Sequence, residues 1–198
     1  AQSIYAAFLV SGNWNPAAAI EDLDVNARNP HLTRTGNKVA VVYRVDDTMG
    51  AGDSIYASIY DSGTSTWGAS AALESAADEA KAPRIANLNN NKAVATWLQE
   101  DGGEWSIFAN YYDGTSWQGD NKIENLNGVI LNDALSISMR AEMAGIVWTQ
   151  NVDGRDNVYV NMLDTDTQEP AWPTDPTLVE NMGGAAKEAE IALSLNET

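Results

Sequence analysis

Carboxylates are the one chemically capable group that this sequence supplies in quantity. There are 28 Asp plus Glu against 11 Lys plus Arg, with a single histidine and no cysteine. They gather in three short stretches: Asp46, Asp47 and Asp53; Glu100, Asp101 and Glu104; and Asp153 with Asp156. Grouped oxygen ligands of this kind suit Ca²⁺ or another hard cation, although none has the ligand spacing of an EF-hand loop. The same residues beside glycine also form turns, because Asp bonds its own backbone and Gly takes φ values closed to other residues. Arg84 and His31 are candidate ligand-binding residues, and Trp105 offers a ring on which a sugar could stack. The absence of cysteine rules out disulfides and thiolate chemistry. With one histidine and no Gly-x-Ser-x-Gly elbow, the usual nucleophile arrangements and a histidine-based zinc site have no support. No cofactor besides Ca²⁺ is indicated.

A formal charge of −17 opposes binding to phosphate-rich partners, so nucleic acid is not expected. No window approaches eighteen apolar residues, so no membrane insertion is expected, and the first residues lack the basic and apolar regions of a signal peptide. Strong acidity together with many Asn, Asp, Gly and Thr fits an extracellular or periplasmic setting.

Internal repetition supplies the elements that must hold these residues. Ser3-Ile4-Tyr5-Ala6, Ser54-Ile55-Tyr56-Ala57, Ser106-Ile107-Phe108-Ala109 and Asn157-Val158-Tyr159-Val160 share one pattern, with steps of 51, 52 and 51 residues between their Ile or Val positions. A second set precedes the last three: Val39 to Tyr43, Ala93 to Trp97 and Ala144 to Trp148. Each is a continuous apolar run ending in an aromatic, as expected of a strand buried on both faces. Strands are therefore expected at 39–44, 55–60, 93–98, 107–112, 144–149 and 158–163, in the second (B) and third (C) places of a four-stranded unit.

Short segments at Pro30–Thr33, Pro83–Ala86 and Asp133–Ser136 supply a first strand, A. A turn carrying Trp14, Trp67, Trp117 or Trp172 leads to a last strand, D, holding Ile20-Glu21, Leu73-Glu74, Ile123-Glu124 or Val179-Glu180. Glutamate on D reads as a charge that protects an outer edge from pairing. Ala69 to Ala82 has helical composition, but the repeat places strand D and a linking loop there. Four antiparallel strands buried on both faces form a propeller blade. The expected fold is all-β, a β-propeller with strands C and D of a split blade at 1–29, complete blades at 30–76, 83–126 and 133–181, and a further strand A at 189–198. The split blade then lacks strand B, so a longer propeller, or a ring completed by another copy through self-association, is expected, with a compact four-bladed ring, imperfectly closed, as the alternative.

The C–D hairpins Asp61-Ser62-Gly63-Thr64-Ser65-Thr66-Trp67 and Asp113-Gly114-Thr115-Ser116-Trp117 resemble the Asp-box of sialidase-like propellers. In that family Asp and Gly shape the turn and Trp packs between blades. The resemblance implies the fold and transfers no catalytic residue. Sialidases hold a substrate carboxylate with three arginines, and of the six here only Arg84 lies on an inner strand. The reading that follows is a non-catalytic extracellular binding or adhesion module with a glycan or protein ligand. The alternatives are part of a sialidase-like glycoside hydrolase whose centre is completed by other blades, or a structural element of a surface assembly.

Overall fold

β-branched and aromatic runs pair their backbone groups between strands, and here they build antiparallel sheets throughout. The computed structural model describes residues 1–46, 52–76, 78–88, 90–167, 170–180 and 184–194, with the backbone alone at 132–134. Among the described residues every regular element is a strand.

The N-terminal part is a pair of small ladders. β1 (Tyr5–Ala6) pairs with β4 (Ala18–Ala19), and β2 (Leu9–Val10) pairs with β3 (Asn13–Trp14). Next comes a sheet of β5 (Ala27–Thr35), β6 (Lys38–Asp46), β7 (Asp53–Asp61) and β8 (Thr66–Trp67), with β9 (Ala71–Ala72) also on β7. The second blade is β10 (Ala80–Asn87), β11 (Ala93–Asp101), β12 (Glu104–Tyr112) and β13 (Trp117–Lys122), in that order. The third is β14 (Val129–Arg140), β15 (Met143–Val152), β16 (Arg155–Asp164) and β17 (Thr177–Leu178). All six expected strands of the B and C places lie inside β6, β7, β11, β12, β15 and β16. Among the described residues of Ala69 to Ala82 there is no helix, and β9 lies near its start.

Three apolar clusters lie where neighbouring units meet. Ala40, Val42 and Ile55 of the first blade pack with Ile85, Ala95 and Trp97 of the second. Val94, Leu98 and Ile107 of the second blade pack with Leu135, Ile146 and Trp148 of the third. Ile4 and Ile20 of the N-terminal part cover Val41, Tyr43 and Val45. Tyr43, Trp97 and Trp148 are fully buried at equivalent places, as the repeat requires. Their polar tips are satisfied: Trp97 and Trp148 each donate Nε1–H to a glutamine two residues on, both at 2.9 Å, and Tyr43 shares its hydroxyl with Ser58 and Ser70.

The repeat positions also fix how D meets C. The amides of Ile20, Leu73, Ile123 and Val179 donate to the carbonyls of Ile4, Ile55, Ile107 and Val158 respectively, at 2.9 to 3.0 Å. The glutamate that follows does not guard an exposed edge as its charge alone indicates. Glu21 and Glu124 are buried. Glu21 accepts the amide of Ile4 at 3.2 Å, and Glu74 accepts that of Ile55 at 2.8 Å. In those two the carboxylate turns inward to accept an amide near the start of strand C, while Glu124 accepts that of Leu126 at 2.9 Å.

The expected strand at 189–198 is corrected in part. Residues 190–194 form no ladder, and 195–198 fall outside the described residues. The segment nevertheless lies along β14, where the amides of Ile191 and Leu193 approach the hydroxyls of Ser136 and Ser138 at 3.4 and 3.1 Å. Gly145 makes room for it, since a Cβ there would stand 2.8 Å from Cδ1 of Ile191. Neither this segment nor any other described residue pairs with the free side of β1.

Candidate functional site

Strand A of each blade carries a register shift before the residues that face its neighbours. The breaks fall between Arg28 and His31, between Lys81 and Arg84, and between Ile130 and Leu135. Asn29 and Ala82, at φ near 53°, begin the first two. A bulge re-aims the side chains that follow it, and the prolines next in line, Pro30 and Pro83, have no amide to lose from the ladder. The result is a cavity of about 520 Å³ between the inner strands, lined by His31, Arg84, Ser136, Glu188 and Glu190 with Leu135 and Ile137.

Hydrogen bonds between successive blades fix this wall. Nδ1 of His31 accepts the amide of Ile85 at 3.1 Å, and the Ser136 hydroxyl donates to Oε2 of Glu190 at 2.6 Å. Burial lowers the His31 pKa below the ordinary histidine value, and the charge of Arg84 lowers it further. The imidazole is therefore neutral at pH 7. With Nδ1 accepting, the proton sits on Nε2. Arg84 donates to the Pro83 carbonyl at 3.0 Å and, among the described residues, makes no ion pair with a carboxylate. The cavity thus offers a cation, a neutral N–H donor, a hydroxyl and two carboxylates beside two aliphatic side chains. That mixture suits a neutral, hydroxyl-rich ligand.

Arg84 and His31 are therefore brought together, whereas the other expected site residues lie elsewhere. Asp46 and Asp53 meet Arg28, Asp53 also meets Arg44, and Arg44 reaches Glu79 at 3.0 Å. Asp46 is held below the usual carboxylate range, first by the hydrogen bond from Asn26 and then by Arg28. Asp101 pairs with Lys122 at 2.9 Å, while Glu104 stands opposite it in the ladder and Glu100 opposite Trp105. Asp156 accepts from Asn151 at 2.6 Å and has Lys187 at 3.7 Å. Asp153 is an exposed turn residue at φ 53°. Asp47 lies outside the described residues. Among the described residues no three His, Cys, Asp or Glu side chains converge on one point. A Ca²⁺ ion at this rim would have to compete with Arg28, Arg44 and Lys122 for the same oxygens.

Trp105 is half-buried against the core shared by the second and third blades, with Lys81 Nζ 3.9 Å from its ring centroid. That ring face meets a cation instead of solvent. In the C–D hairpins, Asp61 accepts the amide of Gly63 at 2.8 Å, and Asp113 accepts those of Thr115 and Ser116 at 2.7 and 2.8 Å. Trp67 and Trp117 pack on Tyr60 and Tyr112 at the same centroid distance of 5.3 Å. These hairpins shape turns and anchor tryptophans.

Sequence reasoning missed Ser136, Glu188 and Glu190. A signal was present for Ser136, which stands opposite Val147, the residue before Trp148, as Arg84 stands opposite Thr96 before Trp97 and His31 opposite Val42 before Tyr43. One more step of the repeat, 54 residues on from Ser136, leads to Glu190. Glu188 sits beside that series and carries no such signal.

No protein family matches this sequence, and neither does any curated protein. Solved structures match its fold. An endo-arabinase from Bacteroides thetaiotaomicron is 11% identical at a TM-score of 0.50, the match covering 85% of this chain and 69% of that one. A glycosyl hydrolase from Bacteroides ovatus is 15% identical at the same TM-score of 0.50, over 87% of this chain and 53% of that one. This chain is accordingly a β-propeller of four-stranded antiparallel blades, three of them complete and one split. It spans about half to two thirds of the length of these similar structures.

Proposed function

We propose that this chain belongs to a carbohydrate-processing propeller of the glycoside hydrolase type and takes its sugar in the cavity between the inner strands. The observation that carries this reading is that four successive units deliver His31, Arg84, Ser136 and Glu190 to one cavity. The fold shared with an endo-arabinase and a glycosyl hydrolase supports it as an analogy. Glycoside cleavage needs two carboxyl groups flanking the scissile bond, one giving a proton and the other activating water or attacking the sugar. Glu188 and Glu190 are the two that this cavity offers. Arg84 and Nε2–H of His31 would orient sugar hydroxyls. A single arginine is a poor clamp for a substrate carboxylate, which favours a neutral pentose or hexose over sialic acid.

Binding without cleavage, as in an adhesion module, is the second reading. It is favoured by the 2.6 Å bond from Ser136, which fixes Glu190 as a hydrogen-bond acceptor. Calorimetry with neutral arabino-oligosaccharides, paired with reducing-end release, separates the two. Saturable binding and sugar release are expected, with Arg84→Ala weakening binding at least tenfold and Glu190→Gln abolishing release. Binding without release in the unaltered chain would establish the adhesion reading. No binding of neutral oligosaccharides would overturn both.

A further inference from the structure

Strand A is the inner edge of each blade, so every second amide along it faces the cavity instead of the ladder. Ile85 and Ile137 are equivalent here, since they pair with Ala95 and Ile146, each two residues before a buried tryptophan. Ile107 and Val158 turn their carbonyls to strand D, and counting the alternation across to strand A leaves the amides of Ile85 and Ile137 facing inward. The Ile85 amide donates to Nδ1 of His31 at 3.1 Å. In the same way the Ile191 amide donates to the Ser136 hydroxyl at 3.4 Å. Both acceptors hold one repeat position, opposite the residue before the buried aromatic of strand B. In the second blade that position is Arg84, opposite Thr96. A guanidinium has five donors and no acceptor, so Arg84 cannot take the amide of Ile137 as His31 takes that of Ile85. Among the described residues nothing else accepts it.

We propose that Arg84 and the backbone amide of Ile137 form a two-donor seat that selects one hydroxyl of the ligand; the inference rests on the sugar reading above. Both residues line the cavity of about 520 Å³, and both stand on inner strands of complete blades. Arg84 is steadied by its 3.0 Å bond to the Pro83 carbonyl and has further N–H groups to give. An oxygen in the seat accepts from both donors. A carboxylate or phosphate there would meet the charges of Glu188 and Glu190 in the same space. An ether oxygen would satisfy the donors and offer those carboxylates nothing. A hydroxyl accepts from Arg84 and Ile137 and keeps its own proton for a carboxylate. Because an analogue without that hydroxyl leaves both donors unpaired, the seat determines which pattern of hydroxyls binds.

The test follows calorimetry and amide exchange on the full chain with an arabino-oligosaccharide and its 2-deoxy and 3-deoxy derivatives. Bound oligosaccharide should slow exchange of the Ile137 amide about tenfold or more, and one of the two deoxy derivatives should bind about tenfold or more weaker than the parent. Ile137→Pro deletes the amide without removing a ladder bond, on an edge strand of the kind that already carries Pro30 and Pro83. In that variant, and in Arg84→Ala, the penalty for the missing hydroxyl should shrink to about threefold or less. If Ile137→Pro fails to fold, exchange at Ile137 in the unaltered chain and the deoxy series on Arg84→Ala still decide. Binding of the parent sugar with unaltered exchange at Ile137 would overturn the seat and leave the sugar reading standing, as would equal binding of all three ligands. An Ile137 amide already protected in the free chain would overturn it too. Absence of binding by the parent sugar would overturn the sugar reading and the seat together.

Discussion

The first blade presents two faces made by the same strands, and they have different fates. On one, Ala40 and Val42 are closed off by Ile85, Ala95 and Trp97 of the next blade. On the other, the N-terminal ladders cover Tyr43 and Val45 at one end and leave Pro30 and Leu32 open at the other. Residue type does not explain the contrast, because apolar side chains stand on both faces. What differs is the neighbour: a full blade of four strands covers one face, and strands of the C and D places alone cover the other. Burial here is a property of the assembly of blades, and a blade taken singly would expose both faces.

Three measurements sharpen or break that comparison, beginning with the largest effect. Trp97→Ala should cost about 3–5 kcal/mol in denaturant melts, the range for large core deletions, because its indole is fully buried and hydrogen-bonded to Gln99. Trp14→Ala should cost under about 0.5 kcal/mol, since Trp14 is 70% exposed on the split blade. Similar losses for the two would mean that the blades do not stack as described. A smaller contrast is expected between Ile85→Ala, at about 2–4 kcal/mol, and Leu32→Ala, at under about 0.5 kcal/mol. If Leu32→Ala matched Ile85→Ala in the isolated chain, the open face would already be covered.

The smallest expected effect is a pH dependence at the glutamate that ties strand D to strand C. Burial raises the Glu74 carboxyl from 4.5 to about 7. A folded-state pKa above the unfolded value means that folding favours the proton. The associated stability is thus full below about pH 4.5 and is lost as pH rises through about 7. Discounted for the half-buried position, the loss between pH 5 and pH 8 should be about 1–2 kcal/mol. It should vanish in Glu74→Gln, which keeps an acceptor for the Ile55 amide without titrating. A slope that persists in Glu74→Gln would assign the titration to another group.

Much of the architecture was legible because a propeller writes its period into the chain. The Ile-Tyr-Ala strands and the apolar runs ending in Tyr43, Trp97 and Trp148 recur at near-constant steps, and each became a strand in the expected place. The inward turn of Glu21 and Glu124 was not legible, since an isolated Ile-Glu pair looks the same whether the carboxylate faces water or a backbone amide. The ion pairs of Asp46, Asp53 and Asp101 were hidden for a similar reason. Their partners Arg28, Arg44 and Lys122 are 9 to 25 positions away in the chain, and the ladder register is what joins them.

The sequence by itself determined the strands, their order within a blade and the equivalence of His31 with Arg84, because each follows from a local pattern repeated at a fixed interval. Only the tertiary structure decided which polar residues share a cavity and which apolar face stays open. Ser136 and Glu188 come to the cavity through the bulged inner strand of the third blade and the segment beside it. Leu32 stays exposed because, among the described residues, none stands where a B strand stands in the other blades. Contacts between blades depend on side chains some fifty residues apart, and no local pattern encodes them.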